Sequence, residues 1–278
     1  MIHEIAPHHF NNDFQAGIKL SEEDYILLYE ENAVLLKRSE GILELPRKKD
    51  FASNNDDWTC TFLFSFNGVP CFLLQDKILI DEPNLGFEDL GFFRSTKQNE
   101  IAWICMVGFH LLNWYRQNKF CGKCGSETRH KEDERATICP KCNHVVYPKI
   151  SPAIIVAITC GDKILLARGT HYKGTWYSLV AGYADVGESL EETVRREVKE
   201  EVGLDVTNIR YYKSQPWPLS GSMMIGFFAE ADDNQPLSID KNEIAEAAWF
   251  EKGNLPAYSS IVSIAGEMID RFEKGQGV

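Results

Sequence analysis

The sequence has little positive charge for its length. Of its 278 residues, 29 are lysine or arginine and 41 are aspartate or glutamate, which gives a formal net charge of −12. Such a chain repels a polyanion at long range, which argues against a protein that coats nucleic acid without specificity. A phosphate-bearing ligand would need local positive charge, and a divalent cation held by carboxylates can supply it.

Long apolar runs are also missing. The chain has no stretch of about 18 consecutive apolar residues, the length that a membrane-spanning helix needs. The first residues, MIHEIAPHHFNNDF, lack the basic and apolar regions of a secretory signal. We therefore expect no membrane insertion, no export and a cytoplasmic location. With 25% charged and 44% hydrophobic residues, the composition is typical of a soluble globular protein.

No internal repeat or low-complexity segment occurs, so domains are predicted from changes of pattern along the chain. Residues 1–118 contain short apolar runs broken by Asn, Asp, Gly and Pro, which indicate a small β-rich N-terminal domain. A helix over residues 100–118 is predicted to close it, because its apolar residues recur at i, i+3 and i+4. Residues 119–148 hold paired cysteines, and residues 149–278 form the third predicted domain.

The third domain has the pattern of a layered α/β fold. A β-branched run from Ser151 and a Gly161-Asp162 turn predict a hairpin. A helix is predicted at about 189–202, strands at 209–212, 223–229 and 247–250, and a last helix near 259–273. Strands flanked by helices indicate helices layered on a sheet.

Four cysteines form two C-x-x-C pairs separated by 14 residues, one fewer than is usual for a zinc ribbon. Four thiolates complete a tetrahedral zinc site and leave no open position, so this zinc is predicted to be structural. Paired cysteines of this kind also favour a reducing compartment over disulfides. The predicted zinc ligands are Cys121, Cys124, Cys139 and Cys142.

The same module has an alternative interpretation as a nucleic-acid-binding ribbon. Basic residues cluster between its two cysteine pairs, where they could contact phosphates. They are Lys123, Arg129, His130, Lys131 and Arg135.

A helix rich in glutamate carries the strongest chemical signal. Ser189 and Glu192 have the spacing of a capping box at its start, and Gly203 is predicted to end it. Glu197, Glu200 and Glu201 stand at i, i+3 and i+4, beside an apolar stripe. Like charges this close repel unless a cation neutralises them, and hard oxygen ligands suit Mg²⁺ or Mn²⁺. Arg196 is placed to orient a carboxylate from one turn away. A merely solvated acidic face is the alternative.

The pattern G-x5-E-x7-R-E-U-x-E-E-x-G-U, with U apolar, resembles the Nudix hydrolase box in full. It comprises Gly182, Glu188, Arg196, Glu197, Val198, Glu200, Glu201, Gly203 and Leu204. The resemblance implies an α+β fold, an α/β/α sandwich on a mixed sheet. It also implies catalytic roles for Glu188, Arg196, Glu197, Glu200 and Glu201, with Glu200 or Glu201 binding metal or taking the proton of the attacking water.

A zinc ribbon before a Nudix domain, together with Ser214-Gln-Pro-Trp-Pro218 after the box, resembles the bacterial NADH pyrophosphatases. By itself that segment is a polar, proline-stiffened loop with one tryptophan. The resemblance covers about residues 92–278 and is weak before them. It implies a homodimer that hydrolyses NAD(H) to nicotinamide mononucleotide and AMP and removes NAD caps from RNA.

The resemblance also assigns binding residues. The metal ligands would be the Ala181 carbonyl, Glu197, Glu200, Glu201 and Glu243. Glu243 could instead be a solvated acid of its loop, but the family places a ligand in that loop, which favours the ligand. Substrate would be bound by Tyr147, Tyr183, Gln215, Pro216, Trp217, Pro218, Leu219, Ser220, Gly221, Ser222 and Ala265, and Arg94 would reach a phosphate. The ring of Tyr183 would stack on a base.

One departure from that family affects the expected substrate. The family continues S-Q-P-W-P with F-P-x-S, whereas this chain has Leu219, Ser220 and Gly221 before Ser222. The altered loop favours, as an alternative, a Nudix hydrolase for ADP-ribose or a dinucleoside polyphosphate. A non-catalytic nucleotide- or RNA-binding module is the other alternative, and the intact glutamate set argues against it.

Overall fold

The structure is a computed structural model that describes residues 1–51, 58–170 and 175–276. The chain divides into two compact units. The C-terminal unit consists of Met1, Ile150–Trp217 and Gly221–Val278, and the N-terminal unit consists of Ile2–Lys149 and Pro218–Ser220. Within the described ranges, no helix combines the length and the apolar character needed to cross a bilayer.

The N-terminal unit contains two sheets whose facing sides share one apolar core. The sheet orders are β1-β6-β7-β2 and β3-β4-β5, with β8 paired to β4. Ile26, Leu35 and Phe72 meet in that core. The strands are β1 (Phe10–Asn11), β2 (Tyr25–Leu27), β3 (Tyr29–Glu30), β4 (Ala33–Ser39), β5 (Ile42–Glu44), β6 (Cys60–Phe66), β7 (Val69–Leu74) and β8 (Leu85–Asp89). Short 3-10 turns lie at Lys48–Asp50 and Leu90–Arg94. The prediction of a β-rich N-terminal region is confirmed.

Helix α1 (Asn99–Gln117) follows these strands, within one residue of the predicted bounds at each end. Its buried residues include all six from Ile101 to Met106, so the helix is buried on more sides than the one face that the sequence pattern predicted. A small antiparallel sheet comes next, in the order β11-β10-β9. Its strands are β9 (Arg129–His130), β10 (Thr137–Ile138) and β11 (Val145–Val146).

The C-terminal unit is built on a six-stranded mixed sheet of order β15-β16-β12-β13-β17, with β14 also paired to β12. Strands β12 and β16 run parallel, and the other pairs in this sheet are antiparallel. The strands are β12 (Ser151–Cys160), β13 (Lys163–Gly169), β14 (Val180–Tyr183), β15 (Thr207–Trp217), β16 (Ser222–Glu230) and β17 (Ile244–Glu251). The predicted hairpin is therefore β12 and β13.

One helix packs on each face of this sheet. Val194, Val198 and Val202 of α2 (Leu190–Val202) join the core on one face. Ile264 and Met268 of α3 (Ile264–Glu273) join the core on the other. The predicted sandwich of helices on a mixed sheet is confirmed, and its two apolar layers position the functional side chains.

Two local predictions differ from the structure. The segment from Ser214 to Trp217 is not a loop, because it forms the end of β15. This strand lies at the edge of the sheet, where a proline such as Pro216 costs no ladder hydrogen bond on its free side. The last helix begins at Ile264 rather than near 259, because Ser263 caps its first turn.

Candidate active site and zinc centre

Helix α2 begins and ends as its sequence predicts. The Ser189 Oγ accepts a hydrogen bond from the Glu192 N–H, and the Glu192 carboxylate accepts one from the Ser189 N–H at 2.7 Å. Gly203 ends the helix with a φ of 79°, in the left-handed region that glycine adopts readily. These two ends fix which turn of the helix carries the box glutamates.

Arg196 is the central cation of the candidate active site. Its guanidinium donates to Glu188 at 2.6 Å, to Glu197 at 2.7 Å and to Glu200 at 3.0 Å. It also donates to the Tyr183 carbonyl at 2.9 Å, which ties α2 to the end of β14. The hydrogen bond from Arg196 holds the pKa of Glu188 down at about 2. Arg196 thus contacts three carboxylates, where the sequence analysis expected it to orient one.

Glu197 lies directly against the backbone of β14. A Cβ atom added at Gly182 would lie 2.0 Å from the Glu197 Cδ, a distance that no real contact reaches. Burial raises the pKa of Glu197, although Arg196 acts in the opposite direction. The first glycine of the box thus makes room for a carboxylate beside the Ala181-Gly182 backbone.

Glu201 is a buried acid, with 6% of its surface exposed. Burial and the negative charges of nearby carboxylates raise its pKa to about 8, with Glu197 and Glu243 the largest charge contributions. The Asp240 N–H donates to the Glu201 carbonyl at 3.1 Å, which holds the loop carrying Glu243 at the end of α2. A buried acid with other carboxylates nearby is the kind of oxygen donor that a divalent cation stabilises.

The predicted metal ligands differ in how far they are exposed to solvent. Glu200 is not at the border of the core as expected, because 59% of its side chain is exposed beside Arg196. Ala181 is half-buried on β14, and Glu243 is exposed. Within the described ranges, only the four cysteines bring three or more potential ligand atoms within 4.8 Å of one another. Arg196 instead engages three of the glutamates.

Two residues of this site were absent from the sequence predictions. Thr193 is fully buried, and its hydroxyl donates to Glu188 at 3.0 Å. Asp240 contributes to the raised pKa of Glu201. Thr193 faces the apolar stripe of α2, a position where a polar side chain indicates a specific partner. Asp240 precedes Glu243 by three residues in an acidic loop, and only the fold places it beside α2.

Tyr183 presents an aromatic ring to solvent at the end of β14. Its residue surface is 52% exposed, while Ser222 is only 3% exposed. The Tyr183 hydroxyl and the Ser222 Oγ lie 3.1 Å apart, within hydrogen-bond distance. This contact fixes the orientation of the ring before any ligand binds. It therefore determines which face of the ring is available for stacking.

The remaining predicted substrate residues are distributed over both units. Gln215 is fully buried, Ala265 is 5% exposed at the start of α3, and Tyr147 is 55% exposed. The Tyr147 hydroxyl donates to Glu134 at 3.0 Å. The exposed Arg94 guanidinium lies over the Phe93 ring at 4.4 Å from its centroid. Pro216 and Trp217 end β15, Gly221 and Ser222 lie in the C-terminal unit, and Pro218, Leu219 and Ser220 belong to the N-terminal unit.

The four predicted zinc ligands converge. The Sγ atoms of Cys121 and Cys142 lie 3.6 Å apart, and those of Cys124 and Cys139 lie 3.5 Å apart. Four thiolates around one zinc at about 2.3 Å lie roughly 3.8 Å from each other. The donor set and its spacing fit a closed structural zinc site.

Two of the five basic residues of the ribbon pair with neighbouring acids, and a third is bonded to neutral groups. Arg129 pairs with Glu132 at 3.3 Å, and Lys131 pairs with Glu134 at 2.9 Å. Arg135 is half-buried and donates to the Asn12 side chain at 2.7 Å. Cations with these partners are less available to phosphates, which disfavours the nucleic-acid-binding interpretation of the ribbon.

Comparison with family models matches three consecutive parts of the chain. Residues 149–272 match the NUDIX domain, and residues 116–147 match the NADH pyrophosphatase zinc ribbon domain. Residues 23–114 match the NADH pyrophosphatase-like rudimentary NUDIX domain. The last match identifies the N-terminal strands, for which the sequence patterns predicted only a β-rich domain.

Similar proteins cover most of the chain. It is 38% identical over 207 residues to the NAD-capped RNA hydrolase NudC of Stutzerimonas stutzeri, which covers 74% of this chain and 75% of that protein. It is 37% identical over 209 residues to the protein of the same name from Pseudomonas aeruginosa, covering 74% of each. A NUDIX hydrolase structure from Nitrosomonas europaea shares the fold, with a TM-score of 0.50 and 23% identity over 57% of this chain and 92% of that one.

Proposed function

Because the chain belongs to the NUDIX hydrolase family, we propose that it cleaves the pyrophosphate bond of NAD(H), releasing nicotinamide mononucleotide and AMP, and removes NAD caps from RNA. The observation that carries the hydrolase activity is the placement of the box glutamates. Glu197 lies against the β14 backbone, and the buried Glu201 lies where neighbouring carboxylates raise its pKa. Both side chains are largely shielded from solvent, which supports the proposal that they are cation ligands.

The substrate assignment rests on the combination of domains and on the relatives. The zinc ribbon and the rudimentary domain match models named for NADH pyrophosphatases, and the relatives at 37–38% identity are named NAD-capped RNA hydrolases. From the family resemblance alone we also propose that the protein is a cytoplasmic homodimer. The altered segment from Leu219 to Gly221 favours one second candidate, a NUDIX hydrolase for ADP-ribose or a dinucleoside polyphosphate.

The catalytic cation, Mg²⁺ or Mn²⁺, would be held by Glu197, Glu201, Glu243 and the Ala181 carbonyl, with Glu200 beside them. When bound, it supplies neutralisation of the phosphate charge and lowers the pKa of the attacking water. Arg196 keeps Glu188, Glu197 and Glu200 in fixed directions. A protonated Glu201 must lose its proton before it can act as a ligand, so cation binding and proton release are coupled.

The other groups of the chain bind and orient. The exposed ring of Tyr183 offers a flat face to a substrate base, and its contact with Ser222 keeps that face in place. Glu200 is open to solvent, where it can accept the proton of the attacking water. The four cysteines would hold a zinc ion that organises the ribbon and takes no part in the chemistry.

A substrate panel tests this proposal. Purified protein is incubated with Mn²⁺ or Mg²⁺ and with NADH, ADP-ribose or a dinucleoside polyphosphate, and the products are separated by chromatography. We expect AMP and nicotinamide mononucleotide from NADH at the highest kcat/KM. A higher value for ADP-ribose would replace the substrate assignment, and no turnover of any compound would favour a non-catalytic binding module.

The decapping activity needs a separate comparison. NAD-capped RNA and 5′-triphosphate RNA of the same sequence are incubated with the enzyme, and the 5′ ends are analysed. We expect the NAD-capped RNA to give nicotinamide mononucleotide and 5′-monophosphate RNA, while the 5′-triphosphate RNA stays unchanged. Equal conversion of both RNAs to the 5′-monophosphate would show an activity different from the one proposed.

A further inference from the structure

Gln215 has no exposed surface, and its side-chain amide is already bonded to the protein. Its Nε2 donates to the Val262 carbonyl at 3.0 Å, and its Oε1 accepts from the Ile264 N–H at 2.7 Å. Gln215 lies on β15, whereas Val262 and Ile264 flank the start of α3. One side chain thus joins the edge strand to both sides of the helix N-terminus.

The segment that Gln215 holds is folded tightly onto the first turn of α3. The Ser263 Oγ donates to the Ser260 carbonyl at 2.9 Å and accepts from the Gly266 N–H at 3.2 Å. A Cβ atom at Gly266 would lie 2.1 Å from the Ser260 carbonyl oxygen, so only glycine permits this approach. The turn from Ser260 to Ser263 therefore has one close-packed arrangement relative to the helix.

The first turn of α3 is also held from the sheet. A Cβ atom at Gly226 of β16 would lie 2.8 Å from the Ile264 Cδ1, so Ile264 sits directly on the strand backbone. Ile264 is 1% exposed and Ala265 is 5% exposed. Gln215, Gly226 and Gly266 together determine where the backbone of Ile264 and Ala265 lies.

We propose that Gln215 is a positioning residue that holds the turn from Ser260 to Ser263 and the first turn of α3 in place, rather than a group that contacts substrate. The inference rests on the proposed function for its effect on catalysis, because Ala265 is the predicted substrate contact of this turn. Leaving either end of a buried amide without its partner costs free energy, which favours this one arrangement of the turn. Gln215 has no direct bond to Glu197 or Glu201, and its influence is on binding rather than on the chemical step.

The substitution Gln215→Met tests this role, because methionine has a similar volume and removes both hydrogen bonds. We expect the KM for NADH to rise at least about tenfold while kcat stays within about twofold. A purely structural defect would instead lower the fraction of folded enzyme, which reduces apparent kcat and leaves KM unchanged. Comparing the change in KM with the change in kcat therefore separates a positioning role from general destabilisation.

The chain offers two matched controls. Gln235 bonds the Asp205 N–H at 2.9 Å and the Asp205 carbonyl at 3.1 Å, and Gln98 bonds the Leu43 N–H at 3.0 Å and the Leu43 carbonyl at 2.7 Å. Each is an amide that bridges a backbone donor and a backbone acceptor, as Gln215 does. We expect Gln235→Met and Gln98→Met to leave the KM for NADH unchanged.

Amide hydrogen exchange provides a readout that does not depend on the substrate. In Gln215→Met, the Ile264 amide should exchange at least about tenfold faster than in the wild type, while the amides from Met268 to Phe272 keep their rates. Unchanged exchange at Ile264, or a KM that stays the same while kcat falls, would overturn the positioning role. If the wild type does not turn over NADH, the proposed function fails, and the exchange rates still decide whether Gln215 holds this turn.

Discussion

At the scale of single residues, Glu201 is an acid whose surroundings disfavour its charge. We predict that Glu201→Gln lowers kcat/KM for NADH by at least about 100-fold, since a lost cation ligand removes several kcal/mol of transition-state stabilisation. Its unfolding free energy should not fall, because the neutral amide avoids the burial of a charge and the repulsion that together raise the pKa of Glu201 to about 8. Steady-state kinetics and urea denaturation measure the two effects.

Glu191→Gln is the matched control for that experiment. Glu191 lies in the first turn of the same helix and is exposed. It should keep wild-type turnover. Activity retained by Glu201→Gln would contradict the assignment of Glu201 to the cation site.

Gly182 is required by the side chain that lies against it. We predict that Gly182→Ala lowers kcat/KM by about 10-fold to 100-fold, because the new Cβ, 2.0 Å from the Glu197 Cδ, displaces that carboxylate. Kinetics at several Mn²⁺ concentrations should show a weaker apparent affinity for the ion.

A glycine in another strand serves as the comparison. A Cβ atom at Gly86 of β8 would meet no heavy atom within 4 Å, so Gly86→Ala should keep normal turnover. Equal activity of the two variants would show that Glu197 does not need its present position.

The side chains of the site were predictable only where local spacing brings them together. Glu197, Glu200 and Glu201 share a face of one helix, so their grouping follows from helical geometry. The approach of Asp240 depends on how the 240–243 loop returns to α2, which no local pattern encodes.

At the scale of elements, α3 and β15 are joined by an ion pair whose strength depends on pH. Burial tends to raise the pKa of Glu267, but hydrogen bonds from Lys213 at 2.8 Å and Tyr212 at 2.6 Å lower it below its usual 4.5. A depressed folded-state pKa means that the stabilisation is complete above 4.5 and is lost as pH falls through the lower folded value.

We therefore predict that Glu267→Gln lowers the unfolding free energy by about 1–2 kcal/mol at pH 7. The difference from wild type should shrink as the pH is lowered from 5 towards 3, as followed by urea denaturation. Glu251→Gln, at an exposed position of β17, should show no such difference. A difference that is constant over this range would contradict the ionic origin of the contact.

Helix α2 and the hairpin of β12 and β13 were predictable because caps, turns and periodicity are encoded within a few residues. The strand conformation at the end of β15 was not predictable, because proline and polar residues normally indicate a loop. Only the sheet order makes that strand an edge, where Pro216 is tolerated.

At the scale of the whole molecule, the zinc ribbon has a small structured core of its own, built around the metal. We predict that Cys139→Ser abolishes stoichiometric zinc binding and unfolds residues 119–148, because metal binding in such modules supplies much of the folding free energy. Metal analysis and limited proteolysis detect the two changes. Helix α2 should remain folded, since its apolar core contains no ribbon residue.

Cys160→Ser provides the control for the loss of a thiol. Cys160 is half-buried at the end of β12, outside the ribbon. This variant should bind zinc as the wild type does. A Cys139→Ser protein that retains its zinc and resists proteolysis would contradict the structural role of the metal.

Strand patterns predicted a β-rich first region, cysteine spacing predicted a ribbon after it, and the family resemblance implied the sandwich. The relation of the first region to a NUDIX domain did not, because residues 23–114 match a rudimentary form of it and carry no box from which it could be predicted. A fold maintained by apolar packing alone leaves only strand patterns in the sequence, and those are common to many architectures.

Strand β12 shares one of its edges between two partners, β14 along Ala153–Val156 and β13 along Ile158–Cys160. Its alternate side chains enter opposite layers, with Ile154 beneath α2 and Ile155 beneath α3. An inserted or deleted residue within β12 would move the side chains beyond it to the opposite face of the sheet. It would also shift by one residue the pairing of β12 with β14, whose backbone lies against Glu197. We therefore expect insertions and deletions among functional variants of this chain at the Gly161-Asp162 turn. The interior of β12 should keep the same number of residues.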